Sequence, residues 1–247
     1  GRAGMAQGFL HWSNNFDELQ DFEGQIRTLA LGTGLMSDAD FNAGTRSQPL
    51  GDPKAGRSAD LDALAAYVAS LTTFDNSPHR TSSGALTSAA TAGRTLFTNL
   101  NCGSCHAGTA FTGSGANTLV DIGTIKPTSG QRLGAPLTGI DVPTLRDVWA
   151  SAPYLHDGSA ATLEAAVRAH NGVSITDADL ANLVAYLQQI GVEEASAPVN
   201  PGTGTGLVGR YYNSTNLSGS VVLTRIEDIN FNWGTSAPGT GVNADNF

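Results

Sequence analysis

The stretch Asn101-Cys102-Gly103-Ser104-Cys105-His106-Ala107-Gly108 decides how this chain is read. Cys102, Cys105 and His106 form a C-x-x-C-H pattern, the spacing of covalent c-type haem attachment. Two thiols three positions apart on a helical turn can each add to one vinyl group of the same porphyrin. The next imidazole then lies beneath the ring, where a ring nitrogen can bind iron. A thioredoxin-like redox pair, half of a zinc site and a plain disulfide are the rival readings. No βαβ pattern surrounds the motif, and no second cysteine pair exists to complete a zinc tetrahedron. The expectation is one covalent haem c.

The composition around the motif suits a globular protein with long loops: 40 % apolar, 14 % charged, 30 glycines in 247 residues. That length holds one large domain or two small ones. The net charge of −9 argues against nucleic acid or an anionic membrane surface as the main partner. No apolar run approaches the roughly 20 residues needed to span a bilayer. The chain opens at Gly1 with neither initiator Met nor signal peptide and reads as a mature or trimmed product. Covalent haem attachment normally follows export, so the expected location is periplasmic or extracellular.

The fold class expected is mainly α, a c-type cytochrome haem domain with long loops and a short C-terminal β segment. A helical stretch is expected from about Phe16 to Leu31, and loop over residues 37–57. Ser58 reads as an N-cap ahead of Leu61, Leu64, Ala65, Val68 and Leu71, which share one helical face. Asn76-Ser77-Pro78 breaks the chain. A further helix begins near Thr87 and carries Ala90, Gly93, Leu96, Phe97 and Leu100 towards the haem motif. Gly93 lets another helix approach closely. The expected partner spans Thr176–Ile190, capped by Thr176 with Asp179 as its N3 acid. Its core face is Leu180, Leu183, Val184, Leu187 and Ile190, and Gly191 ends it. A short helix is expected at about Leu163–His170.

An early helix crossing a late one beside C-x-x-C-H resembles the c-type cytochrome fold. Pro143-Thr144-Leu145-Arg146, the Ala152–Gly158 segment containing His156-Asp157-Gly158, and Thr162–Val167 resemble the haem domain of bacterial di-haem cytochrome c peroxidases and their methylamine-utilisation relatives. Asp121-Ile122-Gly123-Thr124 and the run Gly93–Gly108 fit the same pattern. Leu71–Arg80 is similar to the connection between that family's two domains, and Leu10-His11-Trp12 to its segment bearing an inter-haem Trp. Gly34-Leu35-Met36 is similar to a stretch soon after that Trp. The family carries two C-x-x-C-H motifs, whereas this sequence carries one. No clean match exists here for the family's peroxide-handling acid and amide, the amide position aligning with Phe22.

The candidates for a second axial iron ligand are His11, His79, His156, His170, Met5 and Met36. In the family the ligand comes from the helix after the His-Asp-Gly turn, and the matching position is His170. The residues agree, since Leu163, Ala166/Val167 and His170 share one face of a short helix ending at Asn171-Gly172. The expected cofactor-binding set is therefore Cys102, Cys105, His106 and His170, with His106 and His170 on the iron and no catalytic residue. Bis-imidazole ligation implies a lower potential than a thioether would give, and no open iron site. Trp12 is an aromatic anchor for its segment or an electron relay. Arg132 and Arg146 are candidate partners of haem propionates or surface ion-pair members. The resemblance also implies calcium on backbone oxygens of the stretch matching Ser151 and Pro153.

After Gly191 the composition shifts. Residues 193–206 read as a linker, and Gly206–Tyr212, Val221–Arg225 and Ile229–Gly234 as strands. They resemble the opening of the β-domain named after anthrax protective antigen. The expected organisation is 1–80, a remnant of an N-terminal peroxidase-like domain; 81–192, the cytochrome c domain; 193–206, linker; and 207–247, a truncated β-domain. The favoured function is an exported mono-haem module passing single electrons to an unidentified redox partner, with association through the β segment. The alternative is a fragment or descendant of a di-haem peroxidase working with an absent haem, and a weaker one an adhesive or structural module.

Overall fold

The computed structural model describes residues 7–198, 207–214, 221–227, 237 and 240–243. Its contacts separate residues 1–200 from residues 201–247 as two units. The fold is mainly α-helical with long loops and a short two-stranded β segment near the C-terminus. The first unit contains α1 (Glu23–Thr28), α2 (Asp38–Phe41), α3 (Ala59–Ser70), α4 (Ser88–Asn99), α5 (Leu163–Arg168) and α6 (Asp177–Leu187). A two-residue antiparallel ladder joins β1 (Gln131–Arg132) to β2 (Ala135–Pro136).

The core forms where α4 crosses α6. Thr87 caps α4 by accepting from the Ala90 N–H, and Thr176 caps α6 by accepting from the Asp179 N–H. Ala90, Gly93 and Phe97 face Leu180, Leu183, Val184 and Leu187, and Ile190 follows on the same side. At the crossing a Cβ on Gly93 would lie 1.9 Å from the Asn182 carbonyl oxygen, so no other residue allows this approach. The Phe97 ring meets Phe111 and Tyr186 edge-on, with centroids 6.3 and 5.6 Å apart. Beside it Glu194, 8 % exposed, accepts from Arg80 and Arg94 at 2.8 Å each and from the Tyr186 hydroxyl at 3.3 Å. Burial pushes the Tyr186 phenol up, and the Glu194 charge adds to it. Ala197 is also buried, so the chain continues to pack on this unit beyond Gly191.

The segment from Phe16 to Leu31 departs from the single helix expected of it. Phe16 bridges to Leu10, a 3-10 turn covers Leu19–Phe22, and only α1 is α-helical. The Asp21 side chain accepts from the Asp17 N–H and from buried Lys54, competing with helical bonding at this point. Residues 37–57, expected as loop, hold α2 and Lys54, whose backbone N–H goes to Glu18. Glu23 is fully buried. Burial pushes its carboxyl up, but the N–H groups of Leu35 and Met36 together with Arg27 outweigh that and hold it below its usual value. Helix α3 is capped by Ser58 as expected, yet it buries only Leu61 and Ala65. Leu64 and Leu71 stand outside, because α3 packs against little more than the Leu19–Phe22 turn.

In the second unit β3 (Leu207–Tyr211) pairs antiparallel with β4 (Leu223–Glu227), Leu207 opposite Glu227 and Tyr211 opposite Leu223. The expected third strand, Ile229–Gly234, lies outside the described residues.

Candidate haem site

Helix α4 delivers the motif. Its last turn closes at Leu100, and Asn101 takes a left-handed conformation at φ 57° that turns the chain into a 3-10 turn over Cys102–Ser104. The N–H groups of Cys105 and His106 both bond the Cys102 carbonyl, drawing the three motif residues onto one turn. Gly103 sits where a Cβ would lie 2.6 Å from the Pro198 carbonyl oxygen, so the central position of the motif is closed to larger residues. Both thiols are free and half-buried. Burial pushes the Cys102 thiol up to about 11, leaving it protonated at neutral pH.

The segment after Val142 is stitched along residues 109–112. Thr112 donates to the Val142 carbonyl and Thr144 to that of Ala110. Arg146 is buried and its guanidinium donates to the carbonyls of Thr109 and Gly191, over the ring of Phe111 at 5.0 Å. This latch holds the Pro143 carbonyl 3.1 Å from His106 Nδ1. A carbonyl only accepts, so Nδ1 carries the proton and Nε2 keeps a lone pair. Burial, with the nearby His170 ring adding to it, brings His106 down to about 4, so it is neutral at ordinary pH.

His170 follows the last turn of α5, which Thr162 caps. Its Nδ1 lies 2.9 Å from the Ala166 carbonyl, which again leaves Nε2 as the free nitrogen. The loop Asp121-Ile122-Gly123 crosses this helix end. Ile122 accepts from the Asn171 N–H at 2.8 Å, and Gly123, at φ 87°, presses against the Asn171 amide.

Cys102, Cys105, His106 and His170 line one cavity of about 540 Å³. Its remaining wall is largely apolar, with Phe97, Leu145, Leu183 and Leu187 from the core and Val120, Ile122 and Ile140 from the loops. The volume falls within the range of cofactor sites, about 300–1,000 Å³. Paired thiols at the wall, two imidazoles with unprotonated Nε2 and an apolar lining are the donor set a covalent haem requires, and the residues fit the group. Haem held there supplies reversible one-electron chemistry at iron.

Other candidates lie elsewhere. His156 Nε2 bonds Ser129 at 2.8 Å and is not in the cavity wall. His11 bonds Ser13 and Gln25, His79 is exposed, Met36 is a buried packing residue, and Met5 lies outside the described residues. Arg146 and Arg132 bond backbone carbonyls, Arg132 those of Ser13 and Asn14, and neither is in an ion pair at the surface among the described residues. Trp12 lines the cavity, 37 % exposed, and its carbonyl accepts from the Asp141 N–H. Asp141 itself went unread in the sequence, although it is a lone acid in the apolar run Ile140–Pro143.

The cytochrome c family model matches residues 90–191, which contain every element of this cavity except Trp12. Residues 90–191 are a c-type cytochrome domain. Hydrazine synthase subunit gamma of Kuenenia stuttgartiensis is 29 % identical over 52 % of this chain and 45 % of its own length. Cytochrome c551 peroxidase of Nitrosomonas europaea is 32 % identical over 40 % of this chain and 33 % of its own. A crystal structure of a MauG-like protein associated with microbial copper homeostasis is 20 % identical, with a TM-score of 0.47, over 81 % of this chain and 74 % of that one. The domain is distantly related to the first two of these redox proteins, one of them a cytochrome c peroxidase. The chain spans less than half the length of the two curated relatives. These relatives overturn the preference for a simple electron carrier over an enzyme, since they point to a peroxidase and redox-enzyme family. None of them supports the protective-antigen resemblance of the C-terminal segment. Among the described residues no helix is long and apolar enough to cross a membrane. The match to the cytochrome c family is consistent with an extracytoplasmic location.

Proposed function

We propose that this chain is the haem-bearing part of a peroxide-reducing redox enzyme of the di-haem type, with one haem c bound through Cys102 and Cys105 and its iron between His106 and His170. The observation that carries the reading is the matched pair of imidazoles. Each gives its Nδ1 proton to a backbone carbonyl, of Pro143 and of Ala166, and each leaves Nε2 to the same cavity. Two imidazoles close the iron to peroxide, so substrate chemistry takes place at a second redox centre. Reducing one peroxide to two waters takes two electrons and two protons, and a single haem stores one electron. A second centre is therefore part of the proposal, with residues 1–80 as the remnant of the peroxidase-like domain that faces it and Trp12 at the cavity edge between them. Calcium at the Ser151 and Pro153 carbonyls belongs to the same reading; among the described residues no cluster of three acidic, His or Cys side chains offers another metal site. The location is periplasmic or extracellular, where covalent haem attachment is completed, and the redox partner is a protein that docks there.

Two measurements test the proposal together. The reduced 247-residue holoprotein is expected to bind no carbon monoxide, and the product of the whole reading frame to turn over peroxide with a reduced donor. Carbon monoxide binding by this haem, or a full-length product inert to peroxide, contradicts it.

A further inference from the structure

Arg132 and Arg146 are committed to backbone carbonyls, and a carboxyl stands in the cavity wall: Asp141, 7 % exposed. Its Oδ2 accepts from Ser114 at 2.7 Å and from Gln7 at 3.3 Å, and its backbone N–H is tied to the Trp12 carbonyl at 2.8 Å. Oδ1 is buried with no partner. A buried carboxylate oxygen with nothing to bond is costly, and a proton on it removes the cost. Burial accordingly pushes this carboxyl up and is the largest cause, while Ser114, Gln7 and the Val142 backbone N–H pull the other way. A unit charge about 10 Å away, at an effective dielectric near 20, changes proton affinity by roughly tenfold.

We propose that Asp141 is a redox-linked proton site: when one electron enters the haem of this cavity, one proton from solvent forms an O–H bond on Asp141 Oδ1. The electron comes from an external one-electron donor, and the two charges cancel within the cavity. Oxidation reverses both transfers. Among the described residues, the other charged and titratable groups on the segments around Asp141 are engaged elsewhere, Asp121 by the Gly123 N–H. His11 is held by Ser13 and Gln25, Arg132 by the Ser13 and Asn14 carbonyls, Arg146 by those of Thr109 and Gly191, and His106 by that of Pro143. The sign follows from charge: reduction raises the carboxyl's proton affinity, so the potential falls as pH rises between the oxidised-state and reduced-state values.

The inference rests on haem binding in this cavity, which a pyridine haemochrome spectrum of the same sample reads independently. Redox titration of the holoprotein across pH is expected to give a sloping segment over which the potential falls by about 59 mV in all as pH rises, the equivalent of that tenfold change in proton affinity. In Asp141→Asn, which keeps the size and the Ser114 contact but cannot ionise, the slope is expected to vanish with the haem spectrum unchanged. The wild-type protein offers a second readout that needs no variant: a protonated-carboxyl band appearing in the reduced-minus-oxidised infrared difference spectrum. A haem-loaded protein with a pH-independent potential and no such band, or an Asp141→Asn variant that keeps the slope, overturns the inference and leaves the haem reading intact. A chain without covalent haem overturns both.

Discussion

Replacing Cys102 and Cys105 together by alanine is expected to give a chain that retains no haem after denaturation and that loses its cooperative melt. The cavity explains why the second effect should accompany the first. Its wall is built from core residues, Phe97, Leu183 and Leu187 among them, so the site and the hydrophobic core are one structure. Without an occupant, the largely apolar wall of a cavity of about 540 Å³ is left bare to water, and each side chain that lines it loses burial. The fold is thus built around its occupant. A pyridine haemochrome assay of the washed, denatured protein and a circular-dichroism melt read the two effects. A variant that melts like the wild type without haem would contradict this dependence.

Gly93→Ala is expected to be the most damaging single substitution on α4. The added Cβ would lie 1.9 Å from the Asn182 carbonyl oxygen, 2.6 Å from its carbon and 2.8 Å from Tyr186 Cβ. Two of those atoms are backbone, so α4 and α6 must separate, and the Phe97–Tyr186 contact that lines the crossing separates with them. Overpacking of this kind costs about 3 kcal/mol or more, which exceeds the gain of about 1 kcal/mol that alanine brings to a helix. For a unit of this size the net loss lowers the melting temperature by roughly 4–8 °C. Gly24→Ala is the matched control. It lies in α1, no atom stands within 4 Å of its added Cβ, and it is expected to be neutral or slightly stabilising. Equal melting of the two variants would remove the crossing from its central place.

The parts of the fold legible in the sequence are those set by local chemistry. Thr87 and Thr176 announce their helices because a side-chain oxygen must satisfy an N–H at a helix start. Gly93 and the apolar face of α6 announce their crossing. The site was legible where covalent chemistry dictates spacing, at Cys102, Cys105 and His106; His170 needed the family resemblance as well as its helical face. What stayed hidden depends on contacts distant in sequence. The break in the helix expected over residues 16–31 comes from Lys54 reaching Asp21, 33 positions away. The latch of Arg146 onto residues 109 and 191, and through it the placing of the Pro143 carbonyl, cannot be read from any local pattern. Asp141 is hidden for a different reason. A lone acid beside an apolar run reads as a strand edge until its partners, Ser114 and Gln7, are seen to hold only one of its oxygens.

The functional reading shifted for a further reason. Axial ligands describe one haem, and a closed haem by itself reads as a carrier. The relatives supply the wider setting, since they point to a peroxidase and redox-enzyme family.

The central claim is that iron in this cavity lies between two imidazoles, and the spectrum of the oxidised holoprotein tests it most directly. A low-spin electron paramagnetic resonance signal of bis-imidazole type is expected, with no sulfur-to-iron band in the far red. A high-spin signal, or the sulfur band, would contradict it.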